Sequence, residues 1–502
     1  MTEKKDKILF WFTPNFVNFG ISKFLQEKYD CDLFAIFDCN NNLKEYLQNQ
    51  NLVKFEKQWF YRDHVTNLKL KYDLTYLSNF EKKYKINLWN ILYSERFFHQ
   101  YNKYYNFNRD EILSILENEC KLLDAVLEDV NPDFAIIKGT DEHQNHLLHE
   151  LCISKGIDVL TIGTVRFADR TLISRDLDKI DDLTSNSELG KKFDNIEDLQ
   201  NYMKEYSSQI STVIKKGGLP SFSKRLQISF QYLSLIRNNQ NYHAYKGRHF
   251  TKLISKNILY FLKSCLRKSF LDNNCKKTIE TDIKYIYFPL HLEPERILSI
   301  GAPYYTNQLE VVLNIAKSIP IDYKLYVKDH PMTGKFGWRN ISYYKQLIKL
   351  PNVELIHPYV SNDDLIKNCS LVTTIAGTAG LEAAFLGKPS VVFSDVIYSS
   401  LPSVFRIENI EELPNKILVA LKTKVNVDDL INYVNLIQQN TFEFDLRQLW
   451  LDSFDDLWHE RSLDINLTES KMKNHFEKHK KEYEQLVDEH LKKIFLIKQK
   501  KN

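Results

Sequence analysis

Tyr285-Ile286-Tyr287-Phe288-Pro289-Leu290 runs into His291, Tyr323-Lys324-Leu325-Tyr326-Val327 runs into Lys328-Asp329-His330-Pro331, and Leu371-Val372-Thr373-Thr374-Ile375-Ala376 runs into Gly377-Thr378-Ala379-Gly380-Leu381-Glu382. Each is an apolar run of strand length that stops at polar or glycine residues. Helix-like segments lie between them. Strand–helix–strand alternation predicts a parallel sheet with helices on both faces. Such sheets bind ligands beyond the carboxyl ends of their strands, where this stretch places its His, Lys, Thr and Gly residues.

The third end is the most informative. Thr374 closes the strand, Gly377 and Gly380 let a phosphate approach the backbone, and Thr378 reads as the N-cap of a short helix closed by Gly387-Lys388-Pro389. A helix start aims unpaired N–H groups at the crevice. Glu382, one turn in, is placed to accept from a ribose. An ordinary glycine turn reads equally well on this evidence alone. At the second end, His330 is a donor to a phosphate oxygen or to a departing nucleotide. Lys328 adds positive charge, and Pro331 fixes the chain beside the histidine. A strand-terminal Lys-x-His-Pro followed two strands later by the glycine turn is more specific than either motif alone.

The order Phe288-Pro289-Leu290-His291-Leu292-Glu293-Pro294-Glu295, Lys328-Asp329-His330-Pro331 and Thr374 to Ala383 with Gly387-Lys388-Pro389 resembles the bacterial capsule polysaccharide biosynthesis proteins, a group that includes Kdo transferases. The teichoic-acid glycerophosphotransferases have a similar Lys-x-His-Pro and glycine turn. The resemblance covers about 280–395, weakens over the first 175 residues and is absent after about 425. It implies an α/β, GT-B-like architecture of two Rossmann-like domains facing across a cleft, with extra helices at the linker and C-terminus. It further implies that His330 and the Gly377–Glu382 turn hold the donor nucleotide, with His291 and Glu295 lining the same cleft.

Bulk properties narrow the field. A chain of 502 residues accommodates two or three domains, and 43% hydrophobic content supplies real cores. A net charge of +3 gives no reason to propose a nucleic-acid partner. Seven scattered cysteines fit a reducing compartment. No Cys-x-x-Cys or clustered His/Cys spacing suggests zinc. Ile8 to Phe12 is too short for a signal-peptide core, and no run approaches a membrane span. The expected setting is cytoplasmic, at the cytoplasmic face of the inner membrane if peripheral.

The first domain, 1–175, opens with Lys7–Phe12 as a strand, Phe16–Tyr29 as a helix and Leu33–Phe37 as a second strand, a βαβ unit without the Gly-x-Gly-x-x-Gly fingerprint of NAD enzymes. Aromatics are dense over Tyr93–Phe107 and read mainly as helix packing; Glu95 and Arg96 among them either pair internally or reach a cleft. Pro132–Gly139 is a strand ending in Thr140-Asp141-Glu142-His143. Asp141 and Glu142 are candidates to activate an acceptor hydroxyl, or else they cap the helix they precede. Arg166 and Arg170 suit an anionic acceptor or a donor carboxylate, or surface ion pairs. Residues 176–275 read as a linker with basic helices, whose interleaved Lys, Arg and apolar residues suit either an anionic membrane surface or inward packing. The second domain spans 276–425. The remainder, 426–502, reads as helical, with 426–460 expected to cross back to the first domain and 466–502 as a solvent-facing or oligomerising helix. There His475, His479 and His490 read as surface residues.

No Asp-x-Asp closes a convincing strand, so neither a catalytic metal nor a cofactor is expected. The resemblance, taken with the ordered strand-end motifs, implies a nucleotide-sugar glycosyltransferase of capsule or lipopolysaccharide synthesis. Kdo from CMP-Kdo is a candidate donor, a cytidine nucleotide the expected carrier, and a glycan or glycolipid the acceptor. His291 and His330 join Asp141 and Glu142 as catalytic candidates. A CDP-alcohol polyol-phosphate transferase and a non-catalytic scaffold are the alternatives.

Overall fold

The computed structural model describes residues 5–66, 71–98, 102–165, 167, 169–177, 179–181, 197–201, 232–233, 236–237, 242–280, 282–333, 339–458 and 467–501. They fall into two units. The first takes in the described residues of Met1–Asp181, Ser211–Leu253 and Thr441–Asn502; the second takes in those of Asp182–Ile210 and Ile254–Asn440.

The strands, in chain order, are β1 (Asp6–Phe12), β2 (Cys31–Phe37), β3 (Lys57–Phe60), β4 (Phe134–Ile137), β5 (Asp158–Thr164), β6 (Arg170–Ser174), β7 (Tyr285–Pro289), β8 (Lys324–Lys328), β9 (Val353–Ile356), β10 (Leu371–Thr374), β11 (Ser390–Val392), β12 (Val404–Arg406) and β13 (Phe442–Glu443). In the first unit they lie in the order β13-β6-β5-β4-β1-β2-β3. From β3 through β5 the pairing is parallel; β6 runs antiparallel on β5, and β13 antiparallel on β6. The near-continuous apolar run of β1 follows from burial on both faces. Ile8, Phe10 and Phe12 enter one core, Leu9 and Trp11 the other, as the two-residue period of a strand requires.

In the second unit the order is β12-β11-β10-β7-β8-β9, parallel throughout. Read from β9, this is the 3-2-1-4-5-6 order of a Rossmann sheet, and the first unit's β3-β2-β1-β4-β5 repeats its first five places. The expected class, α/β with two Rossmann-like sheets, is what the chain forms. Each sheet therefore has one switch point, between β1 and β4 and between β7 and β10.

The C-terminal part departs from the sequence reading in three ways. It is not wholly helical, because β13 pairs with β6. The helices Leu446–Leu457, Glu469–Lys478 and Lys480–Lys501 bury their apolar seam in the first unit's core: Tyr483, Leu486, Val487 and Ile494 are fully buried. Tyr483 stacks on Phe24 of the helix Val17–Lys28, and a Cβ at Gly20 would fall 2.1 Å from its ring. The seam is thus covered within the chain. Finally, His475, His479 and His490 ride on that seam and are buried, not surface residues.

Candidate functional site

At the second switch point, His291 follows β7 and meets the end of β10. Its Nε2 lies 3.2 Å from Thr374 Oγ1 and accepts from the Ala376 N–H at 3.4 Å. Thr374 Oγ1 accepts from the Gly377 N–H at 3.1 Å, and the Tyr398 hydroxyl donates to the Gly377 carbonyl. A Cβ at Gly377 would lie 2.8 Å from Thr374 Oγ1 and 3.0 Å from His291 Cε1; one at Gly380 would lie 2.7 Å from the Tyr398 hydroxyl. Both positions are closed to a side chain. We expect Gly377→Ala to displace Thr374 and His291 and to destabilise the protein by about 1–3 kcal/mol, the usual cost of overpacking, with an unchanged circular dichroism spectrum. Differential scanning calorimetry checks this.

Thr378 occupies the N-cap position of the helix Ala379–Phe385, but its side chain makes no capping bond. Its hydroxyl donates instead to Glu382 Oε1 at 2.9 Å, while Glu382 Oε2 accepts from Asn362 Nδ2 at 3.3 Å. The expected cap is therefore replaced by an ordered carboxylate.

The loop after β8 is held by a residue that the motif reading passed over. Buried Asp329 accepts from the His330 N–H at 2.8 Å, from Thr333 Oγ1 at 3.1 Å and from Tyr344 and Arg339. Buried Arg339 also donates to the His291 carbonyl at 2.6 Å and pairs with Glu293 at 3.1 Å. One guanidinium thus ties the ends of β7 and β8 together. His330 is half-buried, and its Nδ1 accepts from the Met332 N–H at 3.2 Å. With Nδ1 accepting, Nε2 is the ring atom left to act as a donor. Lys328 is buried and donates to the Val360 carbonyl at 2.9 Å. Burial lowers its ammonium to about 8, while Glu382 and Asp363 pull the other way. Pro331 is exposed; Glu295 sits half-buried at the N-cap position of the one-turn helix Arg296–Ser299.

The first unit has a cavity of about 180 Å³ at its own switch point. Thr13 and Pro14 follow β1, Asp38 follows β2, Arg62 lies just past β3, and Glu142 and Gln144 follow β4; Glu95, Phe97 and Tyr242 to Tyr245 complete the lining. Arg62 Nε pairs with Asp38 Oδ1 at 2.9 Å, and the guanidinium stacks on Tyr242 at 4.0 Å. The Gln144 amide donates to Glu142 Oε2 at 2.7 Å and to Asp38 Oδ2 at 3.2 Å, bridging two carboxylates. Burial raises the Glu142 carboxyl to about 7, with Asp38 and Glu95 adding to the shift and Arg96 and Lys138 opposing it. Glu142 stands at the N-cap position of the helix His143–Ser154 without a side-chain capping bond. The capping alternative for this residue is thereby set aside.

Behind the cavity lies a buried charge clamp. His143 Nδ1 sits 2.6 Å from Glu95 Oε2 and His143 Nε2 2.7 Å from Glu119 Oε1, and all three side chains are at most 1% exposed. Glu119 also accepts from Tyr61, and Glu95 accepts from the Phe97 N–H at 3.0 Å. The clamp fixes Glu95 in the cavity wall.

Several expected residues lie elsewhere or do other work. Asp141 is half-buried and 3.8 Å from Lys138. Arg96 lies 5.9 Å from the Phe97 ring. Arg170 is buried in β6, donating to Thr441 Oγ1 at 2.7 Å and the Thr441 carbonyl at 2.8 Å, and pairing with Glu443; it secures β13. Arg166 lies outside the described residues. Among the described residues, one group has the spacing of a metal set: Asp456, His475 and His479, with ligand atoms within 4.8 Å of one another. Lys478 already places its ammonium 2.9 Å from Asp456, which answers the carboxylate's charge.

The sequence pattern that defines the capsule polysaccharide biosynthesis proteins matches residues 199–401. Over that segment the chain is similar to the capsule polysaccharide biosynthesis family. The segment contains His291, the Lys328–Pro331 loop and the glycine turn, and the resemblance read from those motifs is borne out over it. No curated protein matches the sequence. Among solved structures, UDP-GlcNAc 2-epimerase from Methanocaldococcus jannaschii is 15% identical, covering 84% of this chain and 94% of its own, at a TM-score of 0.25. The beta Kdo 2,7 transferase KpsC of Thermosulfurimonas dismutans is 13% identical over 62% of this chain and 88% of its own, at 0.28. UDP-GlcNAc 2-epimerase from Neisseria meningitidis bound to UDP-GlcNAc is 15% identical over 87% and 98%, at 0.26. Likenesses this distant add nothing to the functional assignment.

Proposed function

We propose that the protein is a glycosyltransferase moving a sugar from a cytidine nucleotide, with CMP-Kdo the first donor to try, to a growing capsule or lipopolysaccharide glycan. One observation carries this reading. The ends of β7, β8 and β10 bring His291, His330 and the Gly377–Glu382 turn to one switch point, inside the segment that matches the capsule family. The side-chain-free glycine turn lets a phosphate approach the start of the helix Ala379–Phe385, His330 Nε2–H donates to the departing nucleotide as charge develops on it, and Glu382 accepts from the ribose. The first unit takes the acceptor, and Glu142 removes the proton from its hydroxyl.

The test is product analysis with CMP-Kdo and other nucleotide sugars. Transfer that persists in EDTA and falls by about 10²-fold or more in His330→Ala supports the reading. Near-normal turnover in that variant contradicts it. A product carrying new phosphate assigns the chain to polyol-phosphate transfer from a CDP-alcohol, which the Lys-x-His-Pro loop also suits.

We further propose contact with an anionic lipid surface. The helix Phe250–Asn274 carries five Lys or Arg residues against one acid, Asp272, and leaves Ile254, Ile258, Phe261, Leu262 and Leu266 exposed on one face. Apolar side chains in that number are seldom left in water, and the charge suits acidic headgroups. We expect the chain to float with phosphatidylglycerol-containing vesicles at low salt and not with phosphatidylcholine alone. Phe261→Glu should abolish flotation.

A further inference from the structure

We infer that the cavity of the first unit receives one uncharged sugar ring, held through its hydroxyls. This rests on the reading that the first unit binds the acceptor, and it names the acceptor's class. The chemistry of the lining selects it. Three carboxylates, Asp38, Glu95 and Glu142, face one guanidinium, and Arg62 already spends its Nε on Asp38. An anionic ligand would meet excess negative charge there.

The unfilled hydrogen-bonding groups are of both kinds. Gln144 is 1% exposed and its Oε1, an acceptor, has no partner among the described residues. His243 is 5% exposed and its Nδ1 is likewise unpartnered. Arg62 Nη1, a donor, is buried without a partner among the described residues. Buried polar groups are nearly always satisfied, so such a cluster around a cavity marks a missing partner. Phosphates and ionised carboxylates only accept and ammonium groups only donate, whereas a hydroxyl does both. A polyol fits this mixed lining, and Phe97, Tyr242 and Tyr245 offer aromatic surface to the C–H faces of a sugar ring. Size agrees: about 180 Å³ lies below the roughly 300–1,000 Å³ of pockets for drug-sized ligands, enough for one ring and too little for a nucleotide sugar.

The experiment is saturation-transfer NMR on the full chain with methyl glycosides of neutral hexoses and N-acetylhexosamines, and in parallel with glycosides of a uronic acid and a 2-keto-3-deoxy sugar acid. Expected is transfer to at least one neutral glycoside, reduced about tenfold or more in Gln144→Leu, which strands the hydroxyl it held, and in Ala244→Phe, which fills the cavity. Both variants should retain the thermal shift produced by nucleotide, which reports on the second unit. Signal confined to the anionic glycosides, signal indifferent to both variants, or no signal from any neutral glycoside overturns the inference. Loss of the nucleotide shift in wild-type protein would instead count against the donor reading and leave this result to stand or fall separately.

Discussion

Glu142→Gln is expected to lower transfer by about 10²–10⁴-fold, the usual contribution of a positioned general base. The amide keeps the shape of the carboxylate and one oxygen to accept from Gln144, so folding and nucleotide binding should survive. Wild-type kcat/KM should rise with pH through about 7, the value to which burial, then Asp38 and Glu95, lift this carboxyl. The variant should lack that limb. Stability supplies a second sign. Because the folded pKa lies above the ordinary carboxyl value of about 4.5, protonated Glu142 favours the folded state at low pH. That advantage disappears as pH rises through about 7. Above that pH, Glu142→Gln should melt no lower than wild type. A variant that retains near-normal turnover, or melts far below wild type at alkaline pH, removes Glu142 from the base role.

His143→Leu should cost about 3–5 kcal/mol of stability, the price of leaving buried carboxylates without their cation, and lower the melting temperature on the order of 10 °C. Burial alone would depress this imidazole, yet Glu119 and Glu95 outweigh it and raise the group to about 10. Glu95 moves down to about 2: burial opposes the shift, and the hydrogen bond from His143 carries it. The histidine's contribution is complete below its unfolded pKa of about 6.5 and is lost as pH rises through about 10. That of Glu95 is complete above about 4.5 and is lost as pH falls through about 2. The clamp is therefore strongest between about pH 4.5 and 6.5. His243 works in the other direction, since burial and then the His143 charge hold it down to about 3, so its cost appears as pH falls below about 6.5. Urea unfolding of wild type and variant at about pH 6 and about pH 9 checks this. The gap should be wide at the lower pH and narrower at the higher, and a gap equal at both refutes the clamp.

Both sheets were legible because a strand buried on two faces must be apolar throughout, and its end shows as an abrupt change to polar residues. His291, His330 and Gly377 sit at such ends and could be named from sequence. Asp38 sits at one too, straight after Leu33–Phe37, and was within reach of the same rule. The partners that complete each site were not. Arg339 reaches back 48 residues to the His291 carbonyl. Tyr242 and His243 lie in a stretch that reads as linker, about a hundred residues from His143, which His243 contacts ring to ring at 5.3 Å. Thr378 was placed at the right position but its hydroxyl found a better acceptor in Glu382. The C-terminal helices misled for a related reason. Their Lys and Glu content suggested exposure, while the few apolar residues between them, led by Tyr483, form one wall of the core.

The central claim is that the β7/β10 switch point holds a nucleotide. A thermal-shift panel with CMP, CDP, UDP, GDP and ADP, run on wild type and His330→Ala, tests it most directly. A ligand at about a hundred times its dissociation constant stabilises the folded state by roughly 2.7 kcal/mol, which a melting curve resolves. The predicted result is a shift with CMP or CDP that His330→Ala abolishes. No shift with any nucleotide, or a shift that the substitution leaves intact, would contradict it.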